Sequence, residues 1–244
     1  FGVFGDRVLG WWSYNETNNP RTAKFSYLEQ HHEAYDSYII GCSSTSSFPK
    51  EQLDEYFDAS FYNLIMYGAD MQDVEQYARY LIDHYTVKNL VLNVYEGYAQ
   101  SYGFQNDSLT DAMPWQADGS SPIPFYARYL FANPRYGWEK LKKLGTDSMI
   151  QDVHDVFDVE SGAYDKSRRD VEHIGSLDSY LAAYPEFLNY PRFDSRLTQM
   201  DQCLESVAAI RDLCREAGVN FLVVTPPLYY DYLAQLPRQE VERF

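Results

Sequence analysis

The chain is poor in the residues that staple a fold, chelate a metal or bind phosphate. Three cysteines, Cys42, Cys203 and Cys214, in 244 residues are too few and too irregularly spaced for a disulfide framework or a zinc site. Cys203 and Cys214 share one helical stretch with an axial separation of about 16 Å, beyond the reach of a disulfide, so the redox compartment stays open. None of the five histidines pairs with another at metal-ligand spacing. His31 and His32 are adjacent and diverge on a helix, His84 stands near a helix end, and His154 and His173 lie apart further along. Lysine and arginine number 20 against 36 acidic residues, a net charge of −16, which excludes a nucleic-acid interface built on clustered basic side chains. No run approaches the roughly 20 apolar residues of a membrane span. No signal peptide, internal repeat or low-complexity tract is visible. The sequence begins Phe1-Gly2-Val3-Phe4-Gly5-Asp6 and stops at Phe244 in a helical pattern. Both ends are expected to be internal to a longer protein, anchored outside the cytoplasm through a removed N-terminal segment.

What is abundant is aromatic: 23 Tyr, 14 Phe and 4 Trp make 17% of the chain. Tyrosine pairs an apolar ring with a hydroxyl that seeks a partner, which suits a sugar-binding cleft and a Tyr-rich core equally. Hydrophobic residues at 45% and charged residues at 23% exclude wholesale disorder, and the length fits one large domain or two small ones.

Residues 1–35 read as a lead-in: Trp11 and Trp12, a loop ending in Pro20, then a polar helix-like stretch. From Asp36 the pattern sharpens. Ser37-Tyr38-Ile39-Ile40-Gly41 is a short apolar run ending in glycine, as for a buried strand entering a tight turn. A polar loop, Ser43 to Ser47, leads to Pro49 at a first helical position and a helix over 50–57. Tyr62–Met66 reads as a second strand closed by Gly68. Asp70 caps a helix whose apolar Met71, Val74, Ala78, Leu81 and Ile82 share one face. Leu90–Asn93 is a third strand, apolar on both faces as parallel strands are. Residues 95–198 lose the rhythm and read as an insertion with its own helices. Thr198 and Asp201 then open an amphipathic helix that Gly218 ends, followed by a fourth strand, Phe221–Val224, stopped by Pro226. The expectation is a three-layer α/β/α domain formed by 36–94 and 199–244. Its parallel sheet has the order 2-1-3-4, a fifth strand lies beyond the chain, and the insertion roofs the strand ends.

In such a sheet ligands bind beyond the carboxyl ends of the strands. There the sequence offers Gly41-Cys42-Ser43-Ser44-Thr45, Tyr67-Gly68-Ala69-Asp70, Asn93-Val94-Tyr95-Glu96 and Thr225-Pro226-Pro227. This set resembles the SGNH (GDSL-like) hydrolase superfamily over about residues 36–94 and 199–225. Gly41-Cys42-Ser43 matches the nucleophile block, Asn63 to Gly68 is similar to the second block, and Asn93 is a looser match to the third. The resemblance implies Ser43 as nucleophile, with an oxyanion hole made of the Ser43 and Gly68 N–H groups and the Asn93 amide. Ser44, Tyr67 and Tyr95 would then flank the substrate. Gly41-Cys42-Ser43-Ser44 looks most like the cell-envelope branch, associated with teichoic-acid D-alanylation and O-acetyl transfer. That likeness implies a cell-envelope glycan or teichoic-acid substrate, a membrane-bound acyltransferase partner and no cofactor or metal.

The sequence departs from the family in three places. Cys42 replaces the usual Asp, no glycine precedes Asn93 in the usual way, and no Asp-x-x-His follows the fourth strand. Either that block lies beyond Phe244, leaving this chain inactive alone, or the site is a non-catalytic binding module. The hydroxyls of Ser43–Ser47 also suit the capping of a helix start, and Cys42 is expected to pack inward as an inert thiol. Arg168 and Arg169, in the only basic cluster, offer a carboxylate or phosphate site or else a solvated salt-bridged face.

Overall fold

The computed structural model describes residues 19–46, 48–99, 109, 112–131, 134, 138, 156–165, 176–185, 197–228, 230–234 and 236–243. Its centre is a parallel sheet of β1 (Ser37–Gly41), β2 (Phe61–Ile65), β3 (Asn89–Asn93) and β6 (Asn220–Val224). The spatial order is β2-β1-β3-β6, the expected order with β6 as the fourth parallel strand. The register is flush: Gly41 pairs with Ile65, Ile40 with Leu92 and Asn93 with Val224, so all four strands end at one edge. Between β3 and β6 a two-stranded antiparallel hairpin, β4 (Val156–Phe157) and β5 (Tyr164–Asp165), breaks the parallel pattern. It went unseen in the sequence because two-residue strands carry no periodicity.

Strand alternation sends side chains to two covered faces. Ile39, Phe61, Ile65 and Val91 pack with Leu53 and Phe57 of helix α2 (Lys50–Phe57). Tyr38, Ile40, Tyr62, Leu64, Leu90 and Leu92 build the larger core with three helices. These are α1 (Pro20–His31), α3 (Met71–His84) and α7 (Met200–Ala217); the short helices α4 (Trp115–Asp118), α5 (Pro122–Leu130) and α6 (Leu177–Ala183) come between α3 and α7. Pro49 precedes α2 rather than opening it, and α7 starts after Gln199 without a side-chain cap. Asp70 caps α3 as expected, accepting from the Asp73 N–H at 2.9 Å. Tyr38, Tyr62, Tyr77 and Tyr98 are among the largest fully buried side chains, while Tyr56 and Tyr230 are exposed. β6 differs from its neighbours, with Leu222 and Val223 40% and 42% exposed. No helix among the described residues is long and apolar enough to cross a membrane.

The largest departure from the sequence reading is α1, whose polar side chains face inward. Arg21, Thr22, Lys24 and Ser26 are buried beside Phe25 and Leu28, so residues read as a lead-in belong to the core. β2 is an edge strand, and its outward backbone groups need partners. The Lys24 Nζ donates to the Asn63 and Ile65 carbonyls at 3.0 and 2.6 Å, while Ser161 accepts from the Asn63 N–H at 2.9 Å. Burial lowers the Lys24 pKa well below 10.5, yet a neutral amine keeps two N–H donors for two carbonyls. The Lys24→Met variant, which removes both of these bonds, is expected to lose about 2–4 kcal/mol in urea denaturation.

Candidate active site

The chain leaves β1 at Gly41, whose φ is +148°. A Cβ there would lie 2.7 Å from the Asn93 Cβ, so glycine is what lets the ends of β1 and β3 approach. Cys42 is extended and buried, its thiol in the core. Residues 43–45 form a single 3-10 turn. Ser43 is half-buried, and no hydrogen bond joins its hydroxyl to a described residue. Asn93 is fully buried at the end of β3, and its Nδ2 donates to the Ser44 Oγ at 2.7 Å. The Ser44 Oγ also meets the Cys42 Sγ at 3.3 Å. The resemblance makes Ser43 the nucleophile beside this amide, and the hydroxyl that the amide meets is that of the next residue, Ser44. Among the described residues the Asn93 Oδ1 has no hydrogen-bond partner, an uncommon state for a buried acceptor and one that recurs at functional sites.

On the other side of β1, the end of β2 is tied to the same edge by the Met66 N–H donating to Gly41 O at 3.0 Å. The chain then turns through Tyr67 and Gly68, the latter exposed at φ +64°. Tyr67 is half-buried; its hydroxyl donates to the Ser46 Oγ at 3.3 Å, and its ring meets Tyr164 edge-on at 4.7 Å. Tyr95 is half-buried and packs edge-on against Tyr98 at 4.7 Å. Gly41, Ser43, Ser44, Gly68, Asn93 and Tyr95 thus stand on consecutive loops of one sheet edge. Arg168 and Arg169 lie outside the described residues.

Past the ends of β3 and β6, a mostly apolar cavity of about 200 Å³ is lined by Glu96, Leu197, Thr225, Pro226, Leu228, Leu233, Leu236 and Val241. The residues from 228 onward reach it from helices α8 (Tyr230–Leu233) and α9 (Arg238–Arg243) and the chain around them.

The described histidines stand at the opposite end. His31 and His84 end α1 and α3 and His32 follows directly, each a few residues before a strand begins. His32 stacks on Tyr85 and His84 on Tyr80, at centroid distances of 4.6 and 4.4 Å. His154 and His173 lie outside the described residues. Among the described residues no group of three or more His, Cys, Asp or Glu could hold a metal ion. Burial pushes the Cys203 and Cys214 thiols up to about 11, which leaves them protonated and unreactive near neutrality.

One acid near the edge is perturbed. Asp73, 20% exposed and 3.2 Å from Arg21, has its carboxyl pushed by burial from 3.8 up to about 6, against the pull of that guanidinium. Sequence reasoning missed Arg21 and Asp73 because their contact spans 52 positions of sequence. No protein family, curated protein or solved structure matches the chain.

Two measurements probe this geometry. Gly41→Ala is expected to cost about 1–3 kcal/mol in thermal or urea unfolding, because the new Cβ must displace Asn93 and the φ suits only glycine. For Asp73, the native state keeps a proton that the unfolded chain releases between 3.8 and about 6. Its contribution to stability is full below the lower value and is lost as the pH rises through the upper one. The stability of wild type relative to Asp73→Asn should therefore fall between about pH 4 and pH 7, read from urea midpoints across that range.

Proposed function

We propose that the sheet edge is the site of a serine esterase or acyltransferase acting on O-acyl groups, acetyl or D-alanyl, of a cell-envelope polysaccharide or teichoic acid. The observation that carries the reading is the Asn93 amide, fully buried at the end of β3 and 2.7 Å from the Ser44 hydroxyl in the turn that also carries Ser43, with the Gly68 turn on the adjoining strand. A tetrahedral acyl intermediate requires amide and backbone donors around its oxyanion, and the Asn93 amide and the Gly68 turn lie on the two strands that flank the serine turn. In this scheme the Ser43 Oγ bonds to the acyl carbon and gives its proton to a base. The carbonyl oxygen, now an anion, is met by the Gly68 N–H and the Asn93 Nδ2. Collapse expels the alcohol with a proton, and water or a sugar hydroxyl then takes the acyl group from serine. Ser44 holds the Asn93 amide in the resting state and yields it to the oxyanion. Tyr67 and Tyr95 flank the substrate as half-buried rings. The reading includes an extracytoplasmic location and a membrane acyltransferase as partner.

A second reading has one observation behind it. All three described histidines sit at the amino end of the sheet, so the base that would activate Ser43 is not among them. On that view the domain is a binding module for a glycan or for the membrane enzyme.

A fluorophosphonate probe separates the two, because an activated serine displaces fluoride from phosphorus and an inert one does not. On the natural full-length protein, labelling is expected at Ser43, absent in Ser43→Ala, and slowed about tenfold in Ser44→Ala. Labelling that survives Ser43→Ala but not Ser44→Ala moves the nucleophile one residue along. An unlabelled wild type hands the site to the binding module.

A further inference from the structure

The Gly68 N–H can serve an oxyanion only if its peptide plane is held in one of two orientations. Residues 66–69 form a turn in which the Ala69 N–H donates to Met66 O at 3.3 Å. The third residue, Gly68, has φ +64°, while Tyr67 is not among the residues of positive φ. That combination is the type II arrangement, which differs from type I by a rotation of the central peptide, here Tyr67–Gly68. A trans peptide is planar, so its C=O and N–H point in opposite directions. Whatever grips the Tyr67 oxygen therefore aims the Gly68 N–H.

The grip comes from Arg21. Its Nε and Nη2 both donate to the Tyr67 carbonyl oxygen, at 3.1 and 2.6 Å, and its Nη1 donates to the Asp73 carboxylate at 3.2 Å. The guanidinium is 3% exposed. Asp73 lies in the first turn of α3, which begins three residues after Gly68, so one side chain ties the turn to the helix it feeds. Flipping the central peptide to type I would break both bonds to the carbonyl. A cation on the oxygen also polarises the amide and strengthens its N–H as a donor.

We infer that Arg21 is a positioning residue for the oxyanion hole, acting through the Tyr67–Gly68 peptide and touching no substrate atom. The inference rests on the esterase reading of the site. A merely structural arginine would lower stability and leave the chemistry of the folded fraction unchanged. A positioning arginine lowers the rate of the folded protein with little change in substrate binding.

The test uses the natural full-length protein, a soluble acetyl ester and the variants Arg21→Ala and Arg21→Lys, each alongside Ser43→Ala. Arg21→Lys covers the case in which Arg21→Ala does not fold, since a lysine can donate once to the Tyr67 oxygen. In folded Arg21→Ala, kcat is expected to drop about 10- to 100-fold with KM within about twofold, and Arg21→Lys should recover part of that loss. The backbone amide resonance of Gly68 should shift in both variants while those of β1 and β3 stay in place. Folded variants with unchanged kcat, with a change confined to KM, or with an unmoved Gly68 resonance overturn the inference and leave the esterase reading standing. If wild type turns over the ester no faster than Ser43→Ala, the esterase reading itself falls and Arg21 loses its role with it.

Discussion

The outward carbonyls of β2 must find hydrogen-bond donors, and the arrangement of the whole edge follows from where those donors come from. A parallel strand at the margin of a sheet leaves half its backbone polar groups unpaired. Helix α1 meets that requirement from within the core, with Lys24 on the strand itself and Arg21 on the turn just beyond it. Asn19, at the start of the same helix, caps the Thr22 N–H at 3.0 Å and reaches the Tyr129 hydroxyl at 2.7 Å. One helix thus seals the sheet, shapes the turn that carries Gly68 and anchors part of the chain that follows β3. The turn of the β4–β5 hairpin completes the seal, where Val159 O accepts from the Tyr62 hydroxyl at 3.0 Å.

The parallel sheet was legible in the sequence because its strands are apolar on both faces and end in glycine, asparagine or proline. Tyr38–Ile40 and Leu90–Leu92 lie where their apolar pattern placed them, in the core; of the apolar positions Met200, Cys203, Leu204, Val207, Ile210 and Cys214 that recur along α7, Leu204 and Val207 are only half-buried. The burial of helix α1 was not legible. Its inward residues include Arg21, Thr22, Lys24 and Ser26, which a hydrophobic pattern counts as surface; the partners of Lys24 are carbonyls of a strand nearly forty residues later and those of Arg21 are Tyr67 and Asp73. Core polar residues are specified by their partners, and those partners are distant in sequence.

At the candidate site the strand ends were readable and the contacts were not. The pattern placed Ser43, Gly68 and Asn93 on three adjacent loops, as the flush register requires. Which hydroxyl the Asn93 amide meets depends on the pitch of one 3-10 turn, a matter of about 2 Å per residue that no composition rule resolves. The turn delivers Ser44 to the amide and leaves Ser43 half-exposed. Arg21 and Asp73, one bearing on the Gly68 peptide and the other on Arg21, carry no motif at all.

The two thiols on α7 make the protein a recorder of its own opening. Cys203 and Cys214 are fully buried and poor nucleophiles while α7 stays packed, with pKa values pushed up to about 11. Exposure returns each to the ordinary thiol range, where a small alkylating reagent captures it irreversibly. Trapping at either position therefore counts the excursions in which α7 leaves the sheet. Lying at different points along one helix, the pair can distinguish fraying from one end from release of the helix as a unit.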